Sequence, residues 1–416
     1  MPYDERYTPY IKQAGLLPWI QLVSRSTPNL NAPLVSALAD RWRPETHSFH
    51  LRTGEMTVTL KDVSLITGLA IDGMPFCMST NSDGWREQMI ALIGMAPTEA
   101  EADVEEGEEK KKKERKAVGA AFTWIQTHFA TCPPDATDDV IQTHARVYMW
   151  YVVSRTLFPD STGKNAPWMW LKTLTVFDSK WSWGSATLAY LYRQLDDACC
   201  RITGSAGIGG NMLLLSVWSW ERLPVGRPKS VRFNPWYEDE DDELRRPTWA
   251  YKWDVVEWQP YGADDRLGYT PEFTINPMCL RDRDLWRMRC PLICNWAVEF
   301  HLPHRVCRQF GLFQPHPPEW VDTDKALHRL DRRRQQKIKD WDKHHASYRT
   351  EIKKAADESQ SILEETPVGK GNDDGSLRAF LKRQARKLRW LSNLLGCRDP
   401  EFDEPSASRA MSLMMT

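Results

Sequence analysis

Cys290, Cys294, His301, His304 and Cys307 place five potential metal ligands between positions 290 and 307. Thiolate sulfur with imidazole nitrogen is the chemistry of zinc. The spacings Cys-x3-Cys, His-x2-His and His-x2-Cys are not the paired knuckles of structural zinc sites, and the intervening LICNWAVEFHL reads as one buried strand in which cysteine behaves as a small apolar residue. The set is therefore expected to be core, with no metal and no cofactor. A second stretch, GSAGIGG at Gly204–Gly210, offers bare backbone N–H groups ahead of a helix, a place where phosphate can sit. It follows a helix and lacks the Lys-Ser/Thr of a P-loop, so a tight helix-to-helix turn is expected. Asp196-Asp197 beside Cys199-Cys200 has no base to complete a nucleophile pair and reads as a polar helix end. His47, His50, Glu55, Asp62 and Asp72 are scattered over a hairpin and the helix after it, where a histidine is ordinarily a hydrogen-bonded structural residue. There is no G-x-S-x-G elbow, no H-E-x-x-H, no Walker loop, no kinase motif pair and no metallophosphatase run. No catalytic residue is assigned, and the chain is expected not to be an enzyme.

The elements that would position such groups are mostly helical. In ETHSFHLRTGEMTVTLKDVSLITGLAIDG, Glu45 to Gly73, the alternation of Phe49, Leu51, Met56 and Val58 with polar neighbours predicts a hairpin turning at Thr53-Gly54. Thr59 with Asp62 predicts a capped helix carrying Val63, Ile66 and Leu69 on one face, closed by Asp72-Gly73. Thr8-Pro9 starts a helix through TPYIKQAGLLPWIQLV, and Asn31 caps one with Leu34, Leu38 and Trp42 on one face. Further helices are expected near Trp85, Val118, Asp139, Trp168, Ala186, Met212 and Arg283. The fold class expected is mainly α with small β-hairpins, a single large helical domain over residues 5–318, followed by a charged helical tail.

The 416 residues carry a net charge of −1, so no global field draws the chain to nucleic acid or membrane. A polar N-terminus and the lack of a long apolar run imply an intracellular protein without a membrane span. The nine irregularly spaced cysteines do not suggest a disulfide framework. Twenty tryptophans, including the triplets Trp181-Ser182-Trp183 and Trp218-Ser219-Trp220, could fill a core or stack on bases; with little positive charge nearby, core packing is expected. Residues 98–117 hold an acidic block followed by a basic one, and a disordered insertion is expected there, with a smaller acidic loop at Tyr237–Arg246.

The C-terminal part differs in kind. A charged helical extension is expected over 319–365, a linker over 366–376, and over 377–416 an amphipathic helix with a flexible end. Leu377, Phe380, Leu381, Leu388, Leu391 and Leu395 share its apolar face, while Arg378, Lys382, Arg383, Arg386, Lys387 and Arg389 supply positive charge. Two readings stand: a helix docking its apolar side on the core or a second copy, or a basic surface for an acidic partner or weak, non-specific nucleic-acid contact.

Four stretches carry a family resemblance: DRWRPETHSFHLRTGEMTVTLKDVSLITGLAIDG at Asp40–Gly73, WSWGSATLAYLYRQL at Trp181–Leu195, LLLSVWSWERLPVGRP at Leu213–Pro228, and VEFHLPHRVCRQFG at Val298–Gly311. Together they resemble the plant mobile domain, also called aminotransferase-like, of plant nuclear proteins and plant transposable elements. The chain departs from the usual pattern at Arg52-Thr53, where relatives tend to have proline. The resemblance implies a nuclear location and an interaction module of transposon descent, linked to meristem maintenance, genome stability and silencing of transposons. It implies nuclear protein partners, a phosphoprotein phosphatase among them, although no phosphatase metal motif and no lysine site for a pyridoxal cofactor is found here. The alternatives it leaves open are an enzyme relic, transposase-like or phosphatase-associated, and a transposon-borne gene copy without cellular role.

Overall fold

Thr59, in extended backbone (φ −109°), accepts the Asp62 N–H on its hydroxyl, while the Asp62 carboxylate accepts the Thr59 N–H, so two of the orphan donors of a helix start are satisfied reciprocally. The helix that follows runs Leu60–Thr67 and stops at Gly68, whose φ of 68° supplies the left-handed cap. Every residue of this helix is buried, so it is an axis of the core and not a surface element.

In the computed structural model the described residues are 1–25, 30–51, 54–98, 118–200, 207–223, 276–288, 290–310, 340–344 and 346. Their order is α1 (Thr8–Gln13), α2 (Leu17–Arg25), α3 (Ala32–Ala39), β1 (Trp42–Arg43), β2 (Ser48–Leu51), β3 (Gly54–Met56), α4 (Leu60–Thr67), α5 (Trp85–Ile93), β4 (Gly119–Ala121), α6 (Phe122–Phe129), α7 (Asp138–Thr156), β5 (Asn165–Pro167), α8 (Trp168–Lys172), α9 (Trp183–Cys199), α10 (Met212–Arg222), β6 (Cys290–Cys294) and β7 (Ala297–His301). Short 3-10 turns include Pro277–Cys279, Arg283–Leu285 and Pro303–Phe310. The architecture is mainly helical with small sheets: antiparallel β1-β2-β3, β4-β5 and β6-β7. Among the described residues no helix is long and apolar enough to cross a membrane.

One hydrophobic cluster extends from Tyr7 to Phe310. α9 lies through it, packed on α4, β1 and the β6-β7 hairpin. Among the described residues most tryptophans are core: Trp19, Trp42, Trp150, Trp170, Trp183, Trp218 and Trp220 are among the largest fully buried side chains, while Trp181 and Trp296 are partly buried. The Trp-Ser-Trp-Gly corner at the start of α9 shows why its small residues matter. Ser182 and Ser185 both donate to the Ile71 carbonyl, at 2.8 and 2.7 Å. A Cβ on Gly184 would stand 2.8 Å from the Ala70 carbonyl oxygen, so the helix seats on the 70–73 turn only without a side chain there.

Several local expectations change. Gly15, at φ 73°, ends α1, so α1 and α2 are separate helices; Thr8 is the first helical residue and not the cap. Asn31 does cap α3, accepting from Leu34 N at 3.1 Å, but the helix ends at Ala39 and Trp42 belongs to β1. The hairpin holds, with Phe49 opposite Met56 and His50 opposite Glu55, yet β3 stops at Met56, and Thr57 and Thr59 are as buried as Val58. LICNWAVEFHL is two strands: Asn295, at φ 52°, turns the chain, an αL position that asparagine tolerates. The helix expected near Arg283 is only a 3-10 turn. The charged insertion at 99–117, the acidic loop at 237–246, the extension over 319–339 and the basic helix with Arg378, Lys382, Arg383, Arg386, Lys387 and Arg389 lie outside the described residues.

Candidate functional site

Polar groups of the 40–78 segment, backbone and side chain, meet side chains of the 276–310 segment at pairs separated by 211 to 252 residues. Arg305 grips the Glu55 carboxylate with two hydrogen bonds, Nε at 2.8 Å and Nη2 at 2.6 Å, and Ser48 Oγ donates to the same carboxylate. The side-chain amide of Gln309 closes both backbone groups of Thr57, accepting from its N–H and donating to its C=O, each at 2.8 Å, so it stands in for a neighbouring strand where β3 has ended. Asp282 accepts from Ile71 N at 3.0 Å, and Asn295 accepts from Met78 N at 2.9 Å.

His301 has the same kind of role. Its Nδ1 donates to the Met288 carbonyl at 2.7 Å and its Nε2 accepts the N–H of Leu60, an orphan donor at the start of α4, at 3.2 Å. Burial pushes its pKa down to about 4, so the ring is neutral with both nitrogens used. Cys290 and Cys294 lie at the two ends of β6, about 13 Å apart at ~3.3 Å per residue, too far to share one ion. Cys307 Sγ donates to the His304 carbonyl at 3.3 Å. Strand geometry thus keeps Cys290 and Cys294 from one ion, and His301, opposite Cys290, spends both ring nitrogens on backbone groups.

A different group converges. His47 from the β1-β2 turn, Asp196 from the last turns of α9 and Glu299 from β7 each present one donor atom within 4.8 Å of the other two. It is the one such group among the described residues. His47 Nε2 stands 2.9 Å from Glu299 Oε2 and 3.9 Å from Asp196 Oδ2. Each ligand's other atom is held: His47 Nδ1 by the Phe300 carbonyl at 3.3 Å, Asp196 Oδ1 by Trp42 Nε1 at 2.7 Å, and Glu299 Oε1 by Arg193 Nε at 2.6 Å. The His47 ring stacks on Tyr192 (5.2 Å between centroids), and the His47 carbonyl accepts from Thr57 Oγ1. Side-chain exposure is 5% for His47, 2% for Asp196 and 0% for Glu299.

Burial disfavours a charged His47, but the hydrogen bond and charge of Glu299, joined by Asp196, overcome it and raise its pKa. Burial, with Glu299 adding repulsion, pushes Asp196 up to about 7. The Glu299 carboxylate thus favours a charged His47 and disfavours a charged Asp196. Asp196 is accordingly no polar helix terminus; its neighbour Asp197 is exposed and Asp196 turns inward. Sequence spacing missed the group because its members come from three distant elements. The one signal available was a Trp-x4-His turn, with His47 at φ 47° in a left-handed position that few non-glycine residues take.

The Glu55–Arg305 tie carries a pH prediction. Burial opposes ionisation of Glu55, but Arg305 and Ser48 outweigh it and hold the carboxyl below its ordinary 4.5. A depressed carboxyl pKa stabilises above the unfolded value, and that stability is lost as pH falls through the folded one. Arg305→Gln is expected to cost about 1–3 kcal/mol at pH 7 in urea unfolding. The difference from the parent should shrink below about pH 4.5. A difference independent of pH would refute the tie.

The plant mobile domain family model matches residues 19–364. Among relatives from Arabidopsis thaliana, the chain is 33% identical to a serine/threonine-protein phosphatase 7 long form homolog over 77% of this chain and 24% of that protein. It is 31% identical to Protein MAIN-LIKE 1 over 92% of this chain and 73% of that one, and 33% identical to Protein MAINTENANCE OF MERISTEMS over 74% and 62%. The chain thus spans about a quarter of the phosphatase homolog it matches. No solved structure matches it.

Proposed function

The chain belongs to the plant mobile domain family, and from that premise we propose that it is a non-enzymatic nuclear interaction module of transposon-related origin. Its work would lie in meristem maintenance, genome stability or silencing of transposons and genes. The observation carrying this reading is how the polar residues of the family-like stretches are used. Glu55, Thr57, Asp62, Glu299, His301, Arg305 and Gln309 face one another across the interior and hold segments together. General acid–base or nucleophilic work needs such groups beside substrate, and these are turned away from it. A relative named for the maintenance of meristems supports the developmental part of the reading. A relative named as a phosphatase homolog makes a phosphoprotein phosphatase the partner class to look for first. The basic face from Arg378 to Arg389 is proposed as a weak, salt-sensitive nucleic-acid contact.

The test is affinity purification of the tagged full chain from plant nuclei, with mass spectrometry of the partners and chromatin mapping of the same chain. Recovery from nuclei with defined protein partners is expected. In parallel, purified chain supplied with zinc, manganese or pyridoxal phosphate should turn over neither phosphoesters nor amino donors. Robust turnover that a folded His301→Ala variant loses would overturn the non-enzymatic reading. DNA retention that is unchanged in a chain ending near Pro318 would remove the tail contact.

A further inference from the structure

We propose that His47, Asp196 and Glu299 form a binding site for one divalent cation of the zinc class, a fastener inside the domain that joins the β1-β2 turn, α9 and β7. The inference goes beyond the interaction-module reading and does not depend on it.

Four observations carry it. The donor set, one imidazole nitrogen and two carboxylate oxygens, is one that zinc and its first-row neighbours accept. The three atoms already stand within 4.8 Å of one another, with two separations of 2.9 and 3.9 Å. Ligands at about 2.0–2.2 Å around a tetrahedral ion lie roughly 3.3–3.6 Å apart, and the His47–Glu299 and His47–Asp196 separations are within a few tenths of an ångström of that. Each ligand's second atom is fixed by a group outside the trio: the Phe300 carbonyl for His47, the Trp42 indole for Asp196, the Arg193 guanidinium for Glu299. That outer arrangement sets ring tautomer and carboxylate orientation at metal centres, and here it aims all three remaining atoms at a common point. Finally, Asp196 Oδ2 is buried and accepts no hydrogen bond among the described residues, although its partner oxygen is fully engaged. A buried carboxylate oxygen left so is costly, and a cation between it and His47 removes the cost.

Charge accounting agrees. With Arg193 positive and both carboxylates ionised, the cluster carries one net negative charge before any proton or metal is added. A divalent ion bearing one hydroxide in the fourth position that three protein ligands leave open brings it to neutrality. The convergence of Asp196 Oδ2, which stands 3.9 Å from His47 Nε2 and beyond hydrogen-bond reach, favours the ion. The trio is 0–5% exposed, so the ion would have a structural role and no substrate access.

The experiment uses the untagged full chain purified without added metal. Elemental analysis by plasma mass spectrometry is expected to find about one zinc-class ion per chain, and zinc alone should restore it after chelation. Asp196→Asn keeps the acceptor for Trp42 and is expected to lose bound zinc while far-ultraviolet dichroism stays parental. Trp42→Phe removes the outer hydrogen bond together with part of a buried ring, and should weaken zinc about 10–100-fold. Cobalt substitution should give no thiolate charge-transfer band, which separates this site from the Cys290–Cys307 set. The proposal is overturned by metal-free protein that takes up no zinc, by stoichiometric zinc that survives in both Asp196→Asn and a folded His47→Gln, or by a thiolate band. Sub-stoichiometric zinc displaced by mild washing is adventitious and also overturns it.

Discussion

Asp62→Ala is expected to cost about 3–5 kcal/mol, seen as a lower urea midpoint with an unchanged slope. Asp62 is fully buried. Its Oδ2 accepts from Thr59 N at 2.8 Å and Thr59 Oγ1 at 2.6 Å, and its Oδ1 accepts from Arg222 Nη2 at 3.0 Å. Truncation removes one half of a capping box, worth about 1 kcal/mol, and takes the carboxylate away from a guanidinium only 11% exposed. The second loss is the larger, because desolvation of Arg222 remains while its compensation goes. Asp62→Asn keeps shape and one acceptor for the cap but sets its NH2 against Arg222, so charge and one hydrogen bond are lost and about 1–3 kcal/mol is expected. A double-mutant cycle with Arg222→Met should return a coupling above about 1 kcal/mol. Additive losses, or an Asp62→Ala protein within 1 kcal/mol of the parent, would show that α4 and α10 are not joined through this pair.

How far this was legible depends on distance along the chain. Thr59 with Asp62, Asn31 with Leu34, the β2-β3 hairpin and the Asp72-Gly73 turn (φ 116° at Gly73) are local, and each follows from neighbours within a few residues. The mainly helical fold and the burial of Trp183, Trp218 and Trp220 follow from composition and periodicity. What spacing misjudged was tertiary. Thr57 falls on the polar phase of a hairpin, yet Gln309, 252 residues away, fills its backbone groups and buries it. Asp196 sits where an exposed helix end is expected, yet Trp42 arrives from 154 residues away and draws it inward. For His301, expected in the core, spacing could not name the partners on which its two nitrogens are spent, Met288 and Leu60. The four family-like stretches anticipate the site in part: they contain His47, Glu55, Asp62, Glu299, His301, Arg305 and Gln309 but not Asp196, Asp282 or Asn295, and nothing in their order says which touches which.

Trp183→Ala is the second large loss expected, about 3–5 kcal/mol, the range for emptying a buried tryptophan site. The side chain is 1% exposed and lies edge-on to Phe76 at 4.9 Å between centroids, within a group that includes Phe158. Phe158 in turn stacks on Trp170 at 4.2 Å. Trp183 Nε1 donates to the Ala14 carbonyl at 2.9 Å, so one ring joins the start of α9 to the end of α1. Truncation therefore opens a cavity and leaves a buried carbonyl without its donor, two penalties of different origin. Trp183→Phe separates them: it refills most of the volume and still lacks the N–H, so about 1–3 kcal/mol is expected. Trp181→Ala should cost less than Trp183→Ala, because Trp181 is only partly buried, although its Nε1 donates to the Thr173 carbonyl. This ordering, measured by urea unfolding at one pH, also decides between the two uses a tryptophan-rich chain can make of its rings. A core predicts losses ranked by burial and nucleic-acid retention unchanged in every variant that folds. A stacking platform predicts the reverse, with Trp181→Ala weakening retention at parental stability. The second pattern would overturn the assignment of the Trp-Ser-Trp triplets to the interior.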